Sequence, residues 1–306
     1  MILALGLLVA GLAVVLWRPC RWAQGRAPRS AVALLLAATA GVWIGSLGMV
    51  VGLASGELGG TLAACGVLWR RLLGGQLGWW QTAALALWAV ALPARGVWSL
   101  AVGGVRSRRL LRKLAAAGMA PLQPAPAASG TFVVSGLSTT AVTLGVLRPL
   151  ILVDGRFWRT ATPLQRQVVV AHEEGHRRGR HVLVDGAARA LTAGLAPLPA
   201  AGRAYQWVRR QLEALADDAA VRRHDRHTVG LELGRIALAD HPRAGLGASG
   251  AALWRVQRLL APPSPQPRGP ALLLPAASVL AVGAAIVLAD TARALGPVAT
   301  ARLCPV

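Results

Sequence analysis

With 306 residues, 55% of them hydrophobic and 15% charged, the chain is too apolar for an ordinary soluble protein of one or two domains, and a membrane protein is the first expectation. Basic residues outnumber acidic ones 33 to 12, yet all except Lys113 are arginines scattered among Ala, Leu and Val without a reading motif, so no direct nucleic-acid contact is expected. Cys20, Cys65 and Cys304 lack C-x-x-C spacing, so neither a disulfide framework nor a thiolate metal site is indicated, and any metal must be held by histidines and carboxylates.

Four apolar stretches, 1–17, 31–54, 79–104 and 271–289, approach or exceed the roughly 20 helical residues that cross a hydrocarbon core about 30 Å thick. No basic segment precedes the first, and Arg18, Arg21, Arg26 and Arg29 follow it, which suits an uncleaved helix with its N-terminus outside. Trp79 and Trp80 read as interfacial anchors of the third span, and Arg95, close to Pro93, as an arginine that snorkels to the headgroups. Arg106, Arg108, Arg109, Arg112 and Lys113 follow that span and, like the arginine-rich 18–30 loop, belong on the cytoplasmic side. The 55–78 loop and the tail after the fourth span carry few basic residues and fit the outside. The expected architecture is an α-helical, multi-pass plasma-membrane protein with the bilayer as partner. It has a three-helix transmembrane region over 1–113, a cytoplasmic domain over 114–270, and a fourth transmembrane helix with a short outer tail over 271–306.

Within the cytoplasmic domain, Ala120 to Ser129 is a Pro/Ala linker, and β-prone runs follow at Thr131–Ser135, Ala141–Gly145 and Leu150–Asp154. Leu150–Asp154 or its neighbours would offer an edge to an extended substrate. Thr162–Pro163 opens a helix that runs into His172-Glu173-Glu174-Gly175-His176, a second helix covers about 203–223, and Pro262 to Pro270 is a rigid link to the last span.

Two histidines four residues apart leave one face of a helix a turn apart and can both reach one cation. Glu173 then lies beside the open coordination position as the proton-handling base, while Glu174 points away from that face and is expected to be exposed. A catalytic zinc takes three protein ligands, and two residues compete for the third place. His181 nearly completes H-E-x-x-H-x-x-G-x-x-H, but that pattern requires its last histidine at Val182, and no methionine follows to make a Met-turn. Glu213, on the separate helix, completes an open His/His/Glu set. Asp217 lies one turn beyond it, where it would accept the free ring N–H of a ligating histidine. His181 is then left to support a ligand from behind. His224, His227 and His241 sit among arginines and read as solvated.

The order Arg148-Pro149, a strand to Asp154, Val168-Val169-Val170-Ala171, the two-histidine segment, Arg177-Arg178-Gly179-Arg180-His181, and then Glu213-Ala214-Leu215-Ala216-Asp217 resembles the BlaR/MecR-type membrane metallopeptidases. The resemblance implies an α+β gluzincin-like protease domain, with His172, His176 and Glu213 on Zn2+ and Glu173 as catalytic base. It also implies limited proteolysis of a regulatory protein such as a winged-helix transcriptional repressor. The Glu-x-x-Ala-Asp segment is shared with HtpX/Ste24-like proteases, which keeps membrane-protein quality control as an alternative. A non-catalytic receptor or scaffold whose zinc is closed by His181 is a further one. The S-x-x-K, S-D-N and K-T-G elements of acylation by β-lactams are missing from the sequence.

Overall fold

The computed structural model describes residues 2–16, 28–54, 79–116, 119–121, 130–195, 199–240, 246–261 and 277–289. The 55–78 loop, residues 18–27 and 122–129, His241, the Pro262–Pro270 link and the 290–306 tail lie outside the described residues. In chain order the elements are α1 (Ile2–Leu16), α2 (Pro28–Ala54), α3 (Trp79–Ala116), β1 (Met119–Pro121), β2 (Thr131–Val134), β3 (Ala141–Leu144) and β4 (Leu150–Asp154). There follow α4 (Gly155–Thr160), α5 (Pro163–Arg178), α6 (His181–Gly194), α7 (Pro199–Val221), α8 (Arg226–Asp240), α9 (Leu246–Leu260) and α10 (Ala277–Ala289).

Among the described residues, the Pro28–Gly48 stretch of α2 has the length and apolarity to cross a membrane, while Ala4–Val15 of α1 and all of α10 are shorter apolar helices. The third apolar stretch is helical and continues without a break to Ala116, so the basic cluster from Arg106 to Lys113 rides on the same helix. Ala4 and Leu7 of α1, Leu35 and Ala38 of α2, and Leu280 and Ala284 of α10 belong to one buried cluster that also takes in Trp207 and Val208 of α7. The helical layer is thereby continuous with the part of the chain that carries the two-histidine segment. Helix α6 lies along α3, and its far end meets α2, where the Trp43 indole Nε1 donates to the Leu191 carbonyl at 3.0 Å. The ring fills a slot that exists because Gly96 and Gly194 have no side chains; a Cβ at either would collide with it.

The strands form one mixed sheet in the order β1-β2-β4-β3. β2 and β4 run parallel with Thr131 opposite Ile151, and β3 joins β4 antiparallel with Ala141 opposite Val153. Ile151, Leu152 and Val153 are fully buried, as befits a strand paired on both sides. Of the expectation that Leu150–Asp154 or a neighbour offers an edge, the neighbour is the part that holds: β4 is paired on both sides, and among the described strands the outer positions belong to β1 and to its neighbour β3. Asp154 ends β4 by accepting from the backbone N–H of Arg156 and Phe157, which starts α4. Thr162 then caps α5 in a reciprocal box with Gln165, with Pro163 in the first turn, where its missing N–H costs nothing.

Candidate metal centre

Helix α5 owes its position to its apolar side. Val168 and Ala171 are buried with Ala220 of α7, Val229 of α8 and Leu259 of α9, each larger aliphatic contributing roughly 1.5–3 kcal/mol on burial. On the next turns the helix presents His172 and His176 to α7. The two backbones come close because position 175 is glycine: a Cβ there would stand 2.7 Å from the Ala219 Cβ and 3.0 Å from the Ala216 Cα. Gly175→Val is therefore expected to push α5 off α7, destabilise the fold by about 1–3 kcal/mol and weaken zinc binding. Thermal melting together with metal analysis checks both effects, and a variant with wild-type zinc affinity would refute this role for the glycine.

The ligand atoms converge. His172 Nε2 and His176 Nε2 are 3.2 Å apart, and Glu213 Oε2 and Oε1 lie 3.5 and 3.7 Å from them respectively. Donors on a tetrahedral zinc with bonds near 2.0–2.1 Å are separated by about 3.3 Å; with one atom from each residue the three lie within 4.8 Å of one another, so the Glu213 carboxylate must swing inward, or offer both oxygens, to close on one ion. His172, His176 and Glu213 are the one group among the described residues able to hold a metal.

Each histidine is also held from behind. Asp217, fully buried, places Oδ1 3.0 Å from His172 Nδ1, and His181 places its Nδ1 3.0 Å from His176 Nδ1. Both contacts leave the Nε2 lone pairs free to point at a cation. His181 comes back against His176 because α5 ends at Gly179, where a Cβ would collide with the His181 ring, and Arg180 turns the chain with a left-handed φ of 49°. Burial, and after it the neighbouring His176, pushes the His181 pKa down to about 4, so the ring is neutral and can accept from His176.

Two contributors escaped the sequence reading. Arg255 of α9 donates from Nε and Nη2 to the two Asp217 oxygens at 2.9 and 2.6 Å, and its Nη1 lies 3.0 Å from Glu213 Oε2. Its helix is clamped by Arg258, which reaches Asp218 at 2.6 Å, and by Arg226, which donates to the Leu259 carbonyl at 2.8 Å. Thr143 of β3 donates from Oγ1 to Glu173 Oε2 at 2.6 Å and fixes that carboxylate at the sheet edge. Nothing local flags either residue: an arginine among 33 basic residues and a strand threonine carry no signal of their own.

Glu174 is a correction. It is buried, not exposed, and its carboxylate takes Arg177 and Arg178, each at 2.6 Å. These guanidiniums outweigh burial and hold its pKa below the ordinary value. His224 and His227 lie beyond the end of α7 and in the first turn of α8, and neither joins the metal-ligating group.

Both carboxylates of the site are held ionised, while Arg255, 3.4–3.5 Å from the two His172 ring nitrogens, already places one positive charge beside them. Burial raises the Asp217 pKa, but the Arg255 charge and the His172 contact overcome it and bring the value to about 2; Glu213 is held well below its ordinary range by His172, His176 and Arg255. For His172, burial and Arg255 act downward, yet hydrogen bonds to Asp217 and Glu213 prevail and raise the pKa from 6.5 to about 9. In the apoprotein this charged pairing stabilises fully below pH 6.5 and is lost as pH rises through about 9. Zinc requires the neutral ring, so its apparent affinity is expected to rise about tenfold per pH unit across that window and level off above it. Competition with a metal indicator from pH 6.5 to 9.5 measures this, and a flat profile would show that Asp217 and Glu213 do not hold the ring protonated.

No family model, curated protein or solved structure matches this chain.

Proposed function

We propose that this chain is a multi-pass plasma-membrane zinc endopeptidase of the BlaR/MecR type, with its site at the cytoplasmic face, that cleaves a regulatory protein, a winged-helix repressor being the expected substrate class. The observation that carries the reading is the open His172/His176/Glu213 set with a glutamate beside it in sequence. A fourth protein ligand would make a structural site, but His181 faces the Nδ1 side of His176, away from the convergent Nε2 atoms, which counts against a closed site.

Held by His172, His176 and Glu213, zinc would supply the Lewis acidity that polarises a peptide carbonyl and makes water nucleophilic near neutral pH. Glu173 accepts the proton that water gives up and returns it to the leaving amine, its carboxylate oriented by Thr143. Asp217 and His181 hold the histidine rings in register, and Arg255 keeps Asp217 ionised and Glu213 aimed. The free edge of β3 runs beside α5 and offers backbone hydrogen bonds to an extended substrate segment. The membrane reading draws on α2 and on apolar side chains exposed elsewhere, with Leu87, Val90, Val97 and Trp98 on α3 and Val279 and Val282 on α10 all at least 60% exposed.

The test is metal removal. Full-length chain purified in detergent is expected to carry one zinc, to lose cleavage of an unstructured test protein on chelation, and to regain it with zinc. Full cleavage by chelated, metal-free protein would sink the proposal.

A further inference from the structure

On the side of α5 that carries Glu174, a cavity of about 670 Å³ lies between α2, α5 and α7. One part of its wall is apolar: Val32, Ala33 and Leu36 of α2 face Leu212 and Leu215 of α7. The other part is cationic, with Arg29 from the first turn of α2 and Arg222 and Arg223 from just beyond the end of α7. Glu174, also in the wall, already receives Arg177 and Arg178. Among the described residues no carboxylate pairs with Arg29, Arg222 or Arg223. Arg29, Arg222 and Arg223 are exposed at the rim, and three guanidiniums without a carboxylate partner beside an apolar wall suit a ligand with an anionic head and a hydrocarbon part.

We propose that this cavity binds one anionic phospholipid of the cytoplasmic leaflet, its phosphate on Arg29, Arg222 and Arg223 and its acyl chains against α2 and α7. The assignment rests on the membrane reading above. α2 is the described helix able to span a bilayer, and Arg29 stands at the end of it that meets the cavity, the level at which a bilayer presents its phosphates. The volume lies in the range of small-ligand sites, of order 300–1,000 Å³, enough for a head group and the start of its chains but not for a folded partner. The cavity reaches the back of the metal centre, since His181 and Gly179 are also in its wall, but Arg222 and Arg223 are not among the three metal-ligating residues and can be changed without removing a ligand.

The experiment uses the full chain in a neutral detergent, with native mass spectrometry and titration by dihexanoyl-phosphatidylglycerol, dihexanoyl-phosphatidylcholine, inorganic phosphate and a poly-glutamate peptide. One equivalent of the phosphatidylglycerol is expected to bind saturably, with the choline lipid at least about tenfold weaker. The double variant Arg222→Ala/Arg223→Ala should lose about tenfold or more in affinity, and Ala33→Phe, which fills the cavity and keeps the arginines, should also block binding. Circular dichroism melting identifies any variant that has failed to fold, and the other then decides. Equal binding of both lipids, or undiminished phosphatidylglycerol binding by a folded variant, would overturn the site. Inorganic phosphate competing at the same concentration as the lipid would make it a free-anion site, and preference for poly-glutamate a peptide groove; either result defeats the proposal. Failure of the membrane reading looks different: the chain would then be released from membranes by alkaline carbonate.

Discussion

Glu173→Ala is expected to leave one zinc per chain while lowering proteolysis by about 10²–10⁴-fold, the usual contribution of a positioned acid/base. The carboxylate is held by Thr143 on the sheet edge and is absent from the three-residue ligand group, so its loss removes proton transfer and leaves the donors in place. Thr143→Val is expected to reduce activity less, since it frees the carboxylate without deleting it. Metal analysis and cleavage of an unstructured protein, run on the same preparations, separate the two functions. Cleavage at the wild-type rate by Glu173→Ala would remove Glu173 from the mechanism.

Glu213→Ala is expected to lose zinc outright, whereas His181→Ala should weaken zinc binding or activity by about 10–100-fold, the usual range for a group that orients a ligand from behind. The distances separate them: Glu213 oxygens lie within 3.7 Å of both Nε2 atoms, and His181 touches His176 on the opposite ring nitrogen. Glu213→Ala also leaves the half-buried Arg255 with one partner fewer, so some loss of thermal stability should accompany it. The ligand assignment fails if Glu213→Ala and wild type retain zinc equally at the same free metal concentration.

Periodicity made the core of this site readable. His172 and His176, and Glu213 and Asp217, are each four residues apart, so helical geometry alone puts each pair on one face. The strand runs, the Thr162–Pro163 start of α5 and the second ligand helix also agree closely with the observed elements. Contacts between distant segments were not readable. Arg255 reaches Asp217 across 38 positions, and its helix was not foreseen. Glu174 lies off the metal-facing side of α5, and only the packing of α2 and α7 around that side, together with the arginines that follow it, makes it buried. β4 looked like a possible edge because an apolar run says how buried a strand is and not which neighbours pair with it.

Helix α6 begins with a ring that touches His176 and ends against the Trp43 indole of α2. Its 14 residues make a stiff rod about 21 Å long, with the left-handed backbone at Arg180 as the joint to α5. A piston stroke or tilt of α2 would have to carry this rod along or break the bond from Trp43 to Leu191. Displacement of α2 would then reach the back of a metal-ligating histidine through this rod, besides acting through its direct packing on α7.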